Sequence, residues 1–165
     1  MKVKDLKKNE KNPRKISAKK KKALRKSVEK FGDLGGIVYN IRSKKLVGGH
    51  QRSSVLSMND KIEIINKYDE PTKSGTIAEG FVITKSGEKY SYREVDWDSK
   101  TETEAMIAAN KHSGEWDTDL LRVAFADVSD LEITGFDESE LEDLKIELPK
   151  MEEFVPEESD EQYVF

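Results

Sequence analysis

A pair of glycines at the end of an extended apolar stretch sets the main constraint on this chain. Lys45, Leu46 and Val47 read as a strand, His50 to Met58 as a helix, and Gly48-Gly49 lies between them. Glycine turns where other residues clash, so the strand can pass directly into a helix whose first N–H groups stay open to an anion. Arg52 would add a charged planar fork one turn in, with the Ser53 and Ser54 hydroxyls beside it. This chemistry fits a phosphate-bearing ligand contacted by Gly48, Gly49, His50, Gln51, Arg52 and Ser53. On the motif alone, a tight turn with an exposed basic side chain is the simpler reading.

The rest of the chain alternates between helical and extended patterns, which predicts an α/β (α+β) fold with a small mixed sheet and flanking helices. A short strand is expected near Lys2 to Leu6. A helix capped by Ser17 and stopped by Gly32 should bury Leu24, Val28 and Phe31 as one stripe. Ile37 to Ile41 pairs with Lys45 to Val47 through Arg42, Ser43 and Lys44. Ile62, Ile64 and Ile65 read as a further strand, and Thr76 to Thr84 with Lys89 to Trp97 as a hairpin turning at Ser86-Gly87. Tyr90, Tyr92 and Trp97 could stack on bases, but cross-strand packing is the commoner use of such residues.

Thr101 and Glu104 have capping-box spacing for a helix ending near Gly114. Asp117 caps the next helix, where Leu120, Leu121, Val123, Ala124 and Phe125 should form a broad buried face. Asp137 and Glu140 open a last short helix that Pro149 closes. Residues 1–148 are thus expected to be one domain, and 149–165 an acidic tail or linker too charged to order itself.

Composition narrows the function classes. Among 165 residues, 35% are hydrophobic and 38% charged, and no cysteine is present, so disulfides and thiolate metal sites are excluded and a reducing compartment is the simplest setting. No stretch approaches the roughly 20 apolar residues a membrane helix needs, and the basic start has no signal-peptide core, so a cytoplasmic location without membrane contact is expected. Charge is strongly polarised. Through Phe31 there are 14 basic against 3 acidic residues, and from Asp137 onward 12 acidic against 2 basic. Lys19, Lys20, Lys21 and Lys22 are the footprint expected of DNA contact, and the acidic end could mimic or compete with that polyanion. A solvated helix face balanced by an acidic tail explains the charges equally well.

The enzyme readings find less support. His50 and His112 are the only histidines, too few for a multi-histidine metal cluster, although one histidine with carboxylates could still hold a divalent ion. His50, inside the glycine turn, could donate to a phosphate oxygen when neutral or bind it more tightly as a cation. Asp69, Asp96, Asp98 and Lys100 fit a loose nuclease pattern, but charged residues this frequent produce such matches by chance. No Ser/His/Asp arrangement and no Walker-type loop is visible.

Several segments, taken in order, resemble the ParB/sulfiredoxin-like domain of chromosome-partition proteins and of many phage and mobile-element proteins. They are Asn12-Pro13-Arg14, the helix ending Phe31-Gly32, Ile37-Val38-Tyr39-Asn40, Gly49-His50-Gln51-Arg52, Val95-Asp96-Trp97, Ala109-Asn110-Lys111, Gly114-Glu115-Trp116-Asp117 and Thr134-Gly135-Phe136. The later run looks most like the phage branch, in which such a domain stands alone or precedes a DNA methyltransferase. The resemblance implies a triphosphate cradled at Gly49 to Arg52, with Arg14 near the nucleotide and Asn110 in the family's third box. It also implies Mg²⁺ as a companion of the nucleotide, DNA association, and a nucleoside triphosphatase or metal-dependent nuclease as the enzymatic alternative. A protein-binding adaptor using the acidic end is a further alternative. The partition proteins carry glutamate where this chain has His50, arginine where it has Ser113, and proline where it has Gly36. Cytidine triphosphate specificity and hydrolysis therefore do not follow from the likeness, and with no cysteine neither does sulfiredoxin activity. No helix-turn-helix pattern follows, so an accessory module is expected rather than a complete partition protein.

Overall fold

A computed structural model of the chain describes residues 1–111 and 116–146. Five strands, β1 (Ile37–Asn40), β2 (Lys45–Gly48), β3 (Lys61–Lys67), β4 (Thr76–Ile83) and β5 (Lys89–Val95), form one mixed sheet in the order β2-β1-β5-β4-β3. β1 runs parallel to β5, and the other neighbouring pairs are antiparallel. The chain is thus the α/β protein that its alternating pattern predicts. The expected hairpin forms as β4–β5 and supplies the middle of the sheet. Burial alternates along β4, with Thr76, Ala78, Gly80 and Val82 buried and their neighbours half-buried, as a period-2 strand requires. Tyr90 and Tyr92 lie in the sheet core with Ile37, Tyr39, Leu46, Ile62 and Val82, so packing is their role.

Six helices flank the sheet among the described residues: α1 (Ala18–Phe31), α2 (His50–Ser53), α3 (Ser99–Lys111), α4 (Thr118–Phe125), α5 (Leu131–Thr134) and α6 (Glu138–Asp143). Ser17 caps α1 by accepting from Lys20 N at 3.2 Å, and Gly32 ends it at φ 73°. Asp117 caps α4, and Asp137 with Glu140 forms the capping box of α6. A second core, Phe125, Leu141 and Ile146, joins α4 to α6 and is separate from that of the sheet. No helix among the described residues is long and apolar enough to cross a membrane.

Five local expectations are corrected. Val3–Asp5 is a 3-10 turn rather than a strand; the segment around it meets the sheet through an isolated bridge from Lys2 to Lys61 and backbone bonds from Ile62 N to the Met1 carbonyl and Leu46 N to the Lys7 carbonyl, and it buries Val3 and Leu6 in the sheet core. α1 buries Ala23 most deeply, because its small side chain allows close approach, while Leu24 and Val28 are half-buried and Phe31 is exposed. α2 stops after one turn. The Ser53 and Ser54 hydroxyls bond back to the carbonyls of His50 and Gln51, a competition that disfavours further helix. α3 starts at Ser99 because Asp98, not Thr101, accepts the capping bond, from Thr101 N at 2.7 Å. In α4, Leu121 and Phe125 share the face toward the second core, leaving Leu120 and Val123 exposed on the other. The helix stop at Gly114, the closure by Pro149 and the tail 149–165 lie outside the described residues.

Candidate anion-binding cleft

Gly49 is the hinge of the strand-to-helix junction. It adopts φ 80°, ψ 18°, and a Cβ there would lie 2.9 Å from the Gly36 carbonyl oxygen and from the Ile37 Cα. Both the dihedral angle and the space therefore demand glycine. Gly48, by contrast, ends β2 opposite Val38, where a Cβ would make an ordinary 3.6 Å contact.

This junction forms one wall of a cleft of about 780 Å³. Gly48, Gly49, His50, Gln51 and Arg52 line it, Arg14 and Lys20 reach it from the N-terminal segment and α1, and Trp116, ahead of α4, and Phe136, between α5 and α6, border it. Segments more than 80 residues apart in the chain thus converge on one depression, gathering most of the sequence-predicted site.

Arg52 is the best-placed cation. Its guanidinium packs over Gly35, where a Cβ would come 2.7 Å from Cζ, and its Nη1 donates a long bond of 3.5 Å to the Gly36 carbonyl. Arg14 is exposed, and its carbonyl accepts from the Gln51 amide at 3.4 Å, so Gln51 tethers the N-terminal loop to the glycine turn. Among the described residues neither Arg14 nor Arg52 has a carboxylate within ion-pair distance. With only one helical turn behind Gly49, the dipole contributes little, and the side-chain cations Arg14, Lys15 and Arg52 supply the positive charge.

Two expected contacts are corrected. Ser53 is buried, and its hydroxyl donates to the His50 carbonyl at 2.9 Å, so it is not available to a ligand. The His50 ring is buried too, and its Nε2 accepts the Asn9 N–H at 3.2 Å. Burial and the nearby Lys8 charge hold its pKa below the ordinary histidine value. A neutral ring accepting at Nε2 carries its proton on Nδ1. His50 is thus a strut between the N-terminal loop and α2, its ring held by Asn9.

Behind His50 lies a polar cluster that the sequence did not announce. The buried Glu102 carboxyl of α3 accepts from Asn9 Nδ2 at 3.0 Å, from Asn40 Nδ2 at 2.5 Å and from the Ser43 hydroxyl. Asn40 Oδ1 in turn accepts from the backbone N–H groups of Trp97 and Arg42. The cluster ties β1, the β1–β2 turn, the N-terminal loop and α3 together beneath the glycine junction. Glu102 lies in a helical, charged stretch, and only the tertiary fold puts three donors around it.

The four lysines proposed for DNA contact separate. Lys20 lines the cleft and pairs with Glu140 at 2.5 Å, Lys22 pairs with Glu132 at 3.4 Å, and Lys19 and Lys21 have no carboxylate partner among the described residues. Lys26, one turn further along α1, also pairs with Glu132 and lies 3.9 Å from Asp130. Hydrogen bonds from Lys26 hold the Glu132 carboxyl below its usual range. Of the acidic end that begins at Asp137, Glu140 meets these lysines among the described residues, while Asp130 and Glu132 lie ahead of it in the chain.

The remaining candidates divide by position. Trp116 and Phe136 pack edge-to-face with centroids 5.4 Å apart, giving the cleft an aromatic border. Asn110 follows Ala109, which lines the cleft, but its side chain lies outside the described residues, as do His112 and Ser113. The loose nuclease pattern is dispersed: Asp96 accepts from Arg42 Nε at 2.7 Å, Asp98 caps α3, and Asp69 is exposed in the β3–β4 loop. No group of three potential metal-binding side chains occurs among the described residues. Compared with known proteins, the chain matches no family model and no curated sequence.

Proposed function

We propose that the chain is a phosphate- and nucleotide-binding module of the ParB/sulfiredoxin-like type, acting as a DNA-associated accessory or regulatory component in a phage or mobile-element setting. A DNA methyltransferase is a fitting protein partner. The observation that carries this reading is the cleft of about 780 Å³, in which Arg14 and Arg52 have no carboxylate partner among the described residues. That volume falls in the range small ligands occupy, roughly 300–1,000 Å³. Two uncompensated guanidinium groups favour a di- or triphosphate over a neutral ligand, because each can bind phosphate oxygens through two parallel donors. The Trp116 and Phe136 border offers an apolar surface on which a base can pack.

A thermal-shift screen of nucleoside triphosphates, with and without Mg²⁺, tests the proposal, with inorganic phosphate as the control. Ligand at 100 times its dissociation constant stabilises the native state by about 2.7 kcal/mol, which a melting curve registers readily. The expected result is a shift with at least one triphosphate that exceeds the shift with phosphate and is lost in Arg14→Ala/Arg52→Ala. No shift with any nucleotide removes the reading. Release of phosphate or cleavage of DNA with Mg²⁺ would instead favour the triphosphatase or the nuclease of the same fold.

A further inference from the structure

The lysines of α1 are occupied by a segment of the same chain. Lys20, Lys22 and Lys26 pair with Glu140, Glu132 and Asp130, all from α6, α5 and the residue capping α5. These acids belong to the small helical unit whose core is Phe125, Leu141 and Ile146, distinct from the core of the sheet. The same unit supplies Ile133, Thr134, Gly135, Phe136 and Glu140 to the border of the cleft. It is thus attached beside the cleft in part by ion pairs that are half-buried and still reached by water. Such pairs are individually weak and are screened by salt, so a denser anion can displace them.

We propose that the α5–α6 arm is an internal occupant of a polyanion-binding face on α1, and that a nucleic-acid phosphate backbone competes with the arm for Lys20, Lys22 and Lys26. The carboxylates already seated on the lysines supply the charge complementarity: a row that accepts three acids from one arm accepts successive phosphates from one strand. The consequence for the cleft is direct. Displacing Glu132 and Glu140 frees the lysines and loosens the wall carrying Phe136, so DNA contact and access to the cleft become linked. This linkage rests on the cleft being a ligand site, whereas the competition for the lysines does not.

The full chain, a labelled DNA duplex and fluorescence anisotropy at several salt concentrations test the competition. In Asp130→Asn/Glu132→Gln/Glu140→Gln, affinity for the duplex should rise about three- to tenfold at low salt, since the four ion pairs to Lys20, Lys22 and Lys26 no longer oppose binding. In Lys20→Gln/Lys22→Gln/Lys26→Gln, affinity should fall for all DNA sequences alike, and the log–log salt slope should drop by roughly 0.9 for each phosphate that is no longer neutralised. Hydrogen exchange of the wild-type chain should quicken across 130–143 when duplex is added, a readout that does not depend on how well either variant folds. Unchanged duplex affinity in the acidic variant, or exchange across 130–143 that duplex leaves alone, would overturn the proposal. Nucleotide affinity in Arg52→Ala is measured alongside: its persistence would remove the cleft reading, while the duplex results still decide the arm.

Discussion

The Arg52 guanidinium occupies the space that a side chain on Gly35 would fill, with Cζ 2.7 Å from where that Cβ would lie. The bare backbone at Gly35 therefore sets where the charge points. Arg52→Ala should weaken triphosphate binding about tenfold to a hundredfold, the value of a charge-assisted hydrogen bond of roughly 1.5–3 kcal/mol, with little change in melting temperature. Arg52→Lys should recover only part of this, because lysine lacks the planar fork. Gly35→Ala should lower affinity without removing a charge, since the guanidinium must swing aside, and should cost little stability because the displaced group ends a flexible side chain. Calorimetry with the best nucleotide measures all three, and full affinity in Arg52→Ala would end its assignment as a ligand.

The two glycines at the junction should respond oppositely to alanine. At Gly49 the left-handed conformation and the 2.9 Å approaches to Gly36 and Ile37 should make Gly49→Ala cost about 2 kcal/mol or more. At Gly48 a Cβ would make only an ordinary 3.6 Å contact with Val38, so Gly48→Ala should change stability by less than about 1 kcal/mol in either direction. Chemical denaturation of the two variants gives the comparison, and equal costs would contradict the geometry of the turn.

What the sequence disclosed follows from what is local. Ser17, Gly32, Asp117 and the Asp137–Glu140 pair act through bonds to residues within four positions, and the structure has each where the pattern put it. The glycine turn was legible for a similar reason: residue type and order mark it before any packing is known, whereas Arg14 was named only through the family resemblance. Ser53 and His50 depart from expectation because being near the turn in sequence says nothing about which way a side chain is buried. Glu102 was invisible because its partners Asn9, Asn40 and Ser43 are 59 or more positions away. The pairing of α1 with α5 was not legible, because the acidic end read from the sequence begins at Asp137, beyond α5. Its particular acids depend on α5, a single turn too short to leave a periodic signal.

The Glu102 cluster predicts a buried cost that exceeds any surface charge change. Glu102→Ala takes the acceptor from the Asn9 amide and from one N–H of the Asn40 amide, whose other N–H keeps the Trp97 carbonyl, so a loss of about 3 kcal/mol is expected. Glu102→Gln retains one carbonyl oxygen but turns an amide donor toward other donors, and should fall between wild type and alanine. Urea denaturation orders the three proteins. Glu102→Ala as stable as wild type would mean that the cluster does not hold the N-terminal loop to α3.

His50 makes folding stability depend on pH above the range in which carboxylates titrate. Its ring is buried and neutral, and protonating Nε2 would set an N–H against the Asn9 N–H that it now accepts. The unfolded chain binds this proton with the ordinary histidine pKa of about 6.5, whereas the folded chain binds it only at lower pH. Between those values the unfolded state holds more protons, so stability rises with pH there and falls as the solution is acidified. The slope for this one group cannot exceed about 1.4 kcal/mol per pH unit, and it vanishes above the unfolded value. Asp98 and Glu132, whose folded pKa values are also depressed, begin to lose their contributions only near their ordinary values of 3.8 and 4.5, so a comparison between pH 5.5 and 7.5 isolates the histidines. His50→Gln places an acceptor at the reach of Nε2 without a titrating group, and subtracting its profile removes any part due to His112. Melting curves should therefore show the wild type losing stability from pH 7.5 to 5.5 while His50→Gln loses less. Parallel profiles would mean that His50 binds its proton equally well in both states, and that its bond to Asn9 does not hold the ring neutral.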